Sequence, residues 1–338
     1  MRTRINSLAI QKRLPASAAA LSVICAFPTL LGQSVAPGAP EVDFGSEAVH
    51  DSVAEIAAIV GREYMDPVVG KQVADSLRRR LKDGQYTSQT PAALAARLTN
   101  DLQLESKDKH LVVAVVRDRV PAPGASTRQE QVRRTNGGVQ RVEILPENVG
   151  YLNMTAFWRV EEAQDVIADA MRLLQRADAL IIDMRQNRGG SPETAVLLMG
   201  YLFDQVGLPL FDIVPRSGDH VSYSTPTPGP PERNGHRPLY VLTAAGTFSA
   251  GEGVAFLLQE RARAEVIGER TAGAANPGRP YRVNAFFDVT VPNGRVVSAV
   301  SGRNWEGSGV LPDVVVTAPD ALGLAHSRAL ARLLASAK

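Results

Sequence analysis

The spacing of apolar residues separates a helical first part of the chain from a mixed remainder. Between residues 41 and 107, three runs keep the spacing of a helix with one buried face. The first run follows Ser46 and has apolar residues at Val49, Val53, Ile56 and Val60. The second run ends at a Gly and the third begins with a Thr-Pro pair, which are common helix boundaries. The pattern predicts a three-helix bundle as an N-terminal domain at 41–107.

At His110 the pattern changes from helical to strand-like. The run "HLVVAVV" is short, apolar and β-branched, which favours a buried strand and places a domain boundary near residue 108. Further on, apolar strand-like runs such as "ALIIDM" and "PLYVLTA" alternate with helical ones. This alternation predicts an α/β core, with helices packed on a largely buried sheet. Two polar, turn-rich stretches, 119–138 and 224–238, are predicted to be exposed excursions.

The first 34 residues have the pattern of a secretory signal. A basic start without acidic residues precedes an apolar stretch that is too short and too rich in small residues for a bilayer span. We therefore expect residues 1–34 to be a signal peptide and the mature protein to be periplasmic or secreted, without stable membrane insertion. The single cysteine, Cys25, lies within this segment, so we expect a mature protein without disulfides.

Charge and composition exclude some classes of function. The 338 residues are 44% hydrophobic, enough for a sizeable core, and the net charge of +2 becomes −2 without the signal segment. No basic stripe interleaved with aromatic residues remains, which argues against a nucleic-acid partner. The chain has no phosphate-binding loop and no HExxH pair, and its five histidines are too scattered to predict a metal site from spacing.

The segment "LIIDMRQNRGG" is the first of three junctions that could carry chemistry. A buried strand ends near Asp183 and Arg185, and the chain breaks on Gly189 and Gly190 before a helix at 192–203. Backbone N–H groups at such a helix start can receive an anion or an oxyanion. The alternative is an ordinary turn between a strand and a helix.

The second junction, "LTAAGTFSAGEG", places Ser249 between a strand and a helix. Ser249 is either a helix-capping serine or a nucleophile, and a nucleophile needs a base within hydrogen-bond reach. No lysine follows it before Lys338, so a histidine is the better candidate, and His110 lies where the helical part meets the first strand. In the third junction, Glu306 follows Trp305 before a Gly-rich turn, where a carboxylate could orient an imidazole or simply be solvated.

Together the three junctions resemble the serine peptidase family that includes the C-terminal-processing (tail-specific) proteases, the tricorn protease core and the interphotoreceptor retinoid-binding proteins. The likeness covers about residues 108–317 and implies a spiral of ββα units like that of crotonase and the Clp protease. The helices at 41–107 resemble the bundle of retinoid-binding-protein-like members, and a C-terminal helix at 318–338 would pack on the core. The stretch "TAGAANPG" lacks the lysine of tail-specific proteases, and the segment between His110 and Gly150 is too short for a PDZ domain.

These departures indicate the tricorn-like branch, which is similar in using serine, histidine and glutamate. The resemblance implies that Ser249 is the nucleophile, that His110 is its general base, and that Glu306 orients the imidazole. The oxyanion hole would consist of the backbone N–H of Ala250 with that of Gly189 or Gly190. Asp183 and Arg185 would then brace the Gly turn.

The implied function is hydrolysis of peptide bonds in a peptide or protein substrate, through an acyl-enzyme and without a metal or organic cofactor. The alternative is a non-catalytic carrier of retinoid-like or fatty-acid ligands on the same fold. In that case "VNAFFDVTV", together with Trp305, could line an apolar pocket.

Overall fold

The computed structural model describes residues 44–87, 90–116, 127–227, 229, 233 and 235–336. The predicted signal segment at 1–34 lies outside this part of the chain, as does most of the first half of the excursion at 119–138. Within the described residues, no helix is both long and apolar enough to cross a membrane.

Three helices open the described chain: α1 (Ser46–Glu63), α2 (Pro67–Lys82) and α3 (Pro91–Ser106). The carboxylate of Asp66 caps α2 and the hydroxyl of Thr90 caps α3, each by accepting hydrogen bonds from backbone N–H groups of the first turn. A proline follows each cap, where its missing N–H has no consequence. These local signals explain why the helix boundaries could be predicted.

The remaining elements are strands with helices between some of them. In chain order they are β1 (Val112–Val115), α4 (Arg128–Arg134), β2 (Val139–Leu145), β3 (Val149–Met154), α5 (Val160–Leu173), β4 (Ala179–Asp183), α6 (Pro192–Leu202), β5 (Pro209–Pro215), β6 (Val221–Ser224), β7 (Leu239–Thr243), α7 (Ala250–Glu260), β8 (Glu265–Gly268), β9 (Gly278–Arg282), β10 (Phe287–Pro292), β11 (Gly294–Ser298), β12 (Val314–Val315) and α8 (Ala321–Ser336).

A six-stranded sheet forms the centre of the core, in the order β12-β8-β7-β4-β3-β2. Its pairs are parallel except for β2 with β3. Side chains of β4 alternate between the faces: Leu180 and Ile182 pack with α5, α6 and α7, whereas Ile181 packs with α8. Both faces are therefore covered, which explains the continuous apolar runs in the sequence.

Two three-stranded antiparallel sheets flank this centre, β11-β5-β6 and β1-β10-β9. The second connects the N-terminal helices to the core. Its side chains Val113, Phe287, Val289 and Val291 are buried in one cluster with apolar residues of α1, α2 and α3. The helices thus complete their hydrophobic core with strands that follow residue 108, including strands far along the chain.

The predicted α/β architecture with an N-terminal helical region is confirmed. The strand predicted at residues 110–116 is β1, although it belongs to the small connecting sheet. The exposed excursion at 119–138 contains the short helix α4, which Thr127 caps and whose residues are mostly exposed. Sequence periodicity did not predict α4, nor the strands β2, β5, β6, β9, β10 and β11.

Candidate active site

Ser249 lies on a strained turn between β7 and α7. Its backbone has φ 53° and ψ −123°, a conformation that non-glycine residues rarely adopt. Hydrogen bonds fix the turn from both sides: Phe248 N–H donates to the Asn187 carbonyl oxygen at 3.0 Å, and Gly253 N–H donates to the Ser249 carbonyl oxygen at 3.0 Å. A sharp strand-to-helix turn of this kind presents a serine hydroxyl at the surface of an α/β sheet.

Glu252, in the first turn of α7, anchors the backbone at Ser249. Its fully buried carboxylate accepts hydrogen bonds from the N–H of Ser249 at 2.8 Å, the hydroxyl of Thr271 at 2.5 Å, and the N–H groups of Gly273 at 2.6 Å and Ala274 at 3.0 Å. Burial raises the pKa of Glu252, and these donors oppose that shift. Sequence reasoning missed Glu252, although "SAGE" has the spacing of a capping box and could have revealed it.

The Gly turn that follows β4 packs directly against the serine. A Cβ atom at Gly189 would lie 2.6 Å from the Cβ of Ser249 and 3.1 Å from the backbone nitrogen of Ala250. A Cβ atom at Gly190 would overlap the carbonyl oxygen of Phe157. Both residues have positive φ, 88° and 131°, so the turn requires glycine for conformation and for space. The predicted oxyanion segment is therefore in contact with the predicted nucleophile.

Asn187 supports this turn from inside the protein. Its fully buried side chain accepts a hydrogen bond from Gly189 N–H at 2.8 Å and donates to the carbonyl oxygen of Met154 at 3.1 Å. Asn187 lies within "LIIDMRQNRGG", but no role was predicted for it. The only signal in the sequence is its position between β4 and the glycines.

Asp183 and Arg185 form a structural pair at the end of β4. The guanidinium contacts both carboxylate oxygens, at 2.9 and 2.6 Å, and donates to the carbonyl oxygen of Ala318 at 2.5 Å. The hydroxyl of Tyr151 donates to the same carboxylate at 2.6 Å. These bonds tie β4 to the segment that leads into α8, and they raise the pKa of Arg185.

His110 lies between α3 and β1, with its ring against Phe248, the residue before Ser249. The two ring centroids are 4.8 Å apart, and the histidine is 6% exposed. Its backbone N–H donates to Asp108 Oδ1 at 2.9 Å, which fixes the loop, but neither ring nitrogen has a hydrogen-bond partner in the described part of the chain. Burial lowers the pKa of His110 to about 4, so the imidazole is neutral at pH 7.

The buried carboxylate of Asp108 and the half-buried carboxylate of Glu306 lie beside this imidazole. Asp108 and Glu306 each have a carboxylate oxygen, and His110 has a ring nitrogen, such that these three atoms lie within 4.8 Å of one another. His110 Nδ1 is 3.8 Å from Asp108 Oδ1. Tyr64 donates its hydroxyl proton to Asp108 Oδ2 at 3.2 Å. The structure thus brings His110 and Glu306 together, with Asp108 as a third member. Sequence reasoning missed Asp108, although an acidic residue two positions before a candidate histidine could have marked it as a neighbour of the imidazole.

Glu306 is held at one oxygen only. Its Oε2 accepts hydrogen bonds from the N–H groups of Ala275 at 2.7 Å and Asn276 at 3.0 Å, while its buried Oε1 has no partner among the described residues. Burial, and then the charge of Asp108, raise the pKa of Glu306 to about 7. Burial raises the pKa of Asp108 to about 6. Each carboxylate therefore holds a proton more readily than usual.

An apolar cavity of about 50 Å³ opens beside Ser249. Its lining includes Met199, Phe211, Ile213, Val254 and Trp305. No residue of 283–291 lines it. Phe287, Val289 and Val291 pack against the N-terminal helices instead, because their strand forms part of the connecting sheet. The expectation that "VNAFFDVTV" lines a ligand pocket is therefore wrong, although Trp305 does line the cavity.

These features match a serine-type peptidase site. They are a serine on a strained turn at a helix start, a glycine turn packed against it, and a histidine beside carboxylates. The chain belongs to peptidase family S41. The sequence model of that family matches residues 148–316. A second model, described as the N-terminal domain of peptidase S41 in eukaryotic IRBP, matches residues 44–157. The resemblance inferred from the three junctions is confirmed.

Individual relatives agree with this assignment. The chain is 30% identical over 183 residues to a carboxyl-terminal-processing protease of Synechocystis sp., covering 51% of this chain and 39% of that one. It is 23% identical over 286 residues to a carboxy-terminal-processing protease of Bartonella bacilliformis, covering 80% and 57%. The chain thus spans less than two thirds of the length of these curated relatives. The solved photosystem II D1 C-terminal processing protease shares the fold, with a TM-score of 0.51 and 18% identity over 80% of this chain and 93% of that one.

Proposed function

We propose that the protein is an exported serine peptidase that uses Ser249, His110 and Glu306 as its catalytic triad. The observation that supports the proposal is that Ser249 lies on a strained turn and that the preceding residue, Phe248, contacts the His110 ring. A neutral buried imidazole is in the protonation state that a general base requires. Export rests on the signal pattern at 1–34.

The mechanism begins with transfer of the Ser249 hydroxyl proton to His110 as the oxygen attacks a peptide carbonyl. His110 must therefore become charged in a buried setting, which costs free energy unless a carboxylate faces it. Glu306 has a free Oε1 for this purpose. Because the ring nitrogens are not hydrogen-bonded here, the side chains must close on one another when substrate binds, as catalytic hydrogen bonds often do.

Two backbone N–H groups would stabilise the oxyanion of the tetrahedral intermediate. Ala250 lies at the start of α7, where the backbone presents N–H groups and the positive end of the helix dipole. Of the two glycines, Gly190 is our choice for the second donor, because the N–H of Gly189 already donates to Asn187. His110 then protonates the leaving amine, and water hydrolyses the acyl-enzyme by the same steps.

The cavity beside Ser249 suggests the preferred substrate. Its apolar lining favours an apolar side chain next to the bond that is cut. The names of the relatives, carboxyl-terminal-processing proteases, suggest cleavage near protein C-termini. Of the residues on which the carrier alternative relied, Trp305 lines the cavity and the stretch 283–291 does not, so the cavity does not favour that alternative.

The test is intact-mass analysis of the mature protein after exposure to a fluorophosphonate. We expect one adduct on the wild type and none on Ser249→Ala or His110→Ala. Ser191→Ala is the matched control, because Ser191 caps the adjacent helix α6 by accepting a hydrogen bond from Thr194 N–H. Labelling of the Ser249→Ala variant, or loss of labelling in Ser191→Ala alone, would remove Ser249 from the proposed role.

A further inference from the structure

We propose that Asp108, His110 and Glu306 form a binding site for a single zinc-type divalent cation, and that binding of the metal reversibly blocks the peptidase. The proposal of a metal site is based on the geometry of these three side chains. The proposal of inhibition also depends on the peptidase function proposed above.

Unpartnered donor atoms are the first argument for the site. Buried polar atoms in proteins nearly always have a hydrogen-bond partner. Here both ring nitrogens of His110 and the Oε1 atom of Glu306 are buried without one, among the described residues, and they occur in a single cluster. His110 is itself 94% buried, and one of its nitrogens is 3.8 Å from a carboxylate oxygen of Asp108. A cation at this point would satisfy one nitrogen of His110 and the Oε1 atom of Glu306 together.

Charge is the second argument. Two carboxylates share a poorly solvated space, and in the described part of the chain no lysine or arginine pairs with either of them. The neighbouring Lys109 donates instead to the carbonyl oxygen of Ala272 at 2.5 Å. Buried carboxylates without a basic partner repel one another, and a divalent cation would compensate both charges at once.

The donor set selects the class of metal. One imidazole and two carboxylates match the nitrogen and oxygen ligands that zinc takes, with one position left for water. Calcium and magnesium prefer more oxygen ligands than this cluster offers. Zinc–ligand distances of about 2.0–2.2 Å imply ligand atoms roughly 3.4 Å apart in a tetrahedron. The donors here lie within 4.8 Å, so modest side-chain movements would close the site.

Outer hydrogen bonds already orient two of the ligands. The hydroxyl of Tyr64 donates to Asp108 Oδ2, and the N–H groups of Ala275 and Asn276 donate to Glu306 Oε2. Glu306 is therefore held through Oε2 while its Oε1 has no partner among the described residues, and Asp108 is held at Oδ2 by Tyr64 and at Oδ1 by the backbone N–H of His110. Such outer partners are a general feature of metal sites in proteins.

Inhibition follows from occupation of the imidazole and of Glu306. The His110 nitrogen that lies near Asp108 is Nδ1, and a neutral ring that coordinates zinc through one nitrogen holds its proton on the other, so no lone pair remains for the proton of Ser249. A metal-bound Glu306 also cannot orient the ring. The metal would therefore act as a reversible inhibitor rather than a cofactor. Removal by a chelator would restore the free imidazole.

The binding test uses isothermal titration calorimetry of the full mature chain with zinc chloride after treatment with a chelator. We expect one site in the wild type and in Ser249→Ala. We expect at least tenfold weaker binding in Asp108→Asn and Glu306→Gln, since loss of an outer partner alone costs 10–100-fold. The matched control is His236→Ala, which removes an exposed histidine 3.1 Å from Asp204 and thus the most obvious surface alternative.

A second measurement does not depend on any variant folding correctly. Cobalt(II) added to the metal-free wild type should give visible absorption bands of a four- or five-coordinate site, and zinc should abolish them. Absence of zinc binding to the wild type, unchanged affinity in both carboxylate variants, or loss of binding in His236→Ala would overturn the proposal.

Inhibition is measured separately, as the rate of fluorophosphonate labelling. Saturating zinc should slow labelling of the wild type at least tenfold, and a chelator should restore it. Unchanged labelling of zinc-loaded protein would overturn the inhibitory role. Failure of the metal-free protein to label would instead contradict the proposed peptidase function, while the calorimetric result on Ser249→Ala would still decide whether the metal site exists.

Discussion

At the residue scale, Gly189 shows how closely the two predicted parts of the oxyanion hole approach one another. We expect Gly189→Ala to slow fluorophosphonate labelling sharply and to destabilise the protein, because the new Cβ would lie 2.6 Å from that of Ser249. Strain at φ 88° adds about 1–2 kcal/mol and overpacking about 1–3 kcal/mol. Urea unfolding and labelling kinetics measure the two effects.

Gly302→Ala is the control for that substitution. Gly302 has φ 70° but open space around its Cβ position, so it should show only the conformational cost and normal labelling. Equal effects of the two substitutions on stability and labelling would mean that packing against Ser249 is unimportant.

Glu252 supports a second prediction at this scale. Glu252→Gln replaces a carboxylate that accepts four hydrogen bonds with an amide that has only one acceptor oxygen. We expect the variant to lose roughly 1–3 kcal/mol for each donor left unpaired and to label slowly, since the Ser249 backbone loses its anchor. Thermal unfolding and labelling rate are the measurements. Glu269→Gln, a more exposed carboxylate that accepts from Ala245 and Ala318 N–H, should have a smaller effect.

Residue types and their positions in motifs were enough to select Ser249, His110 and Glu306 as candidates. They were not enough to select Asp108 or Glu252, because an acidic residue in a sequence is most often a solvated surface charge. The surroundings of Asp108 include Tyr64, which directly follows α1, and Glu306, nearly 200 residues away. Contacts of that range leave no local pattern.

At the element scale, β10 is the strand that joins the N-terminal helices to the peptidase core. It pairs with β1, where Phe287 lies opposite Val115, and its Phe287 side chain is fully buried among the helices. We expect Phe287→Ala to lower the free energy of unfolding by about 3–5 kcal/mol, through the lost contacts and the cavity. Leu173→Ala, at a 55% exposed position of α5, should change it by about 0.5 kcal/mol or less. Urea denaturation of both variants checks this difference.

The elements that periodicity predicted are those buried on a continuous face or marked by caps. The helices α1 to α3 and the strands β3, β4 and β7 satisfy this condition, since all residues of these strands are buried. The missed strand β9 reads "GRPYR" and is mostly exposed, so it has no apolar alternation to detect. Its strand structure depends on pairing with β10, which is a tertiary contact.

At the scale of the whole molecule, the predicted domain boundary near residue 108 is crossed by close packing. The boundary was inferred from the change of sequence pattern, and whether the two parts fold independently stays a prediction. In the structure, polar contacts cross it as well as apolar ones: Met65 N–H donates to the carbonyl oxygen of Pro292 at 2.8 Å, and the Asn284 side chain donates to Ser52 at 2.8 Å. A sequence pattern cannot show such closure, because the partners lie more than 200 residues apart.

This shared packing predicts how the whole protein unfolds. We expect a single calorimetric transition of the mature chain, with equal calorimetric and van't Hoff enthalpies, because the helices cannot separate from the core without exposing Val113, Phe287 and Val289 to water. Differential scanning calorimetry of the wild type and of Phe287→Ala tests it. The substitution should move the one transition to lower temperature without splitting it. Two resolved transitions, of which Phe287→Ala moves only one, would show instead that the helices and the core are separate folding units and that His110 is positioned by a domain able to move away from Ser249.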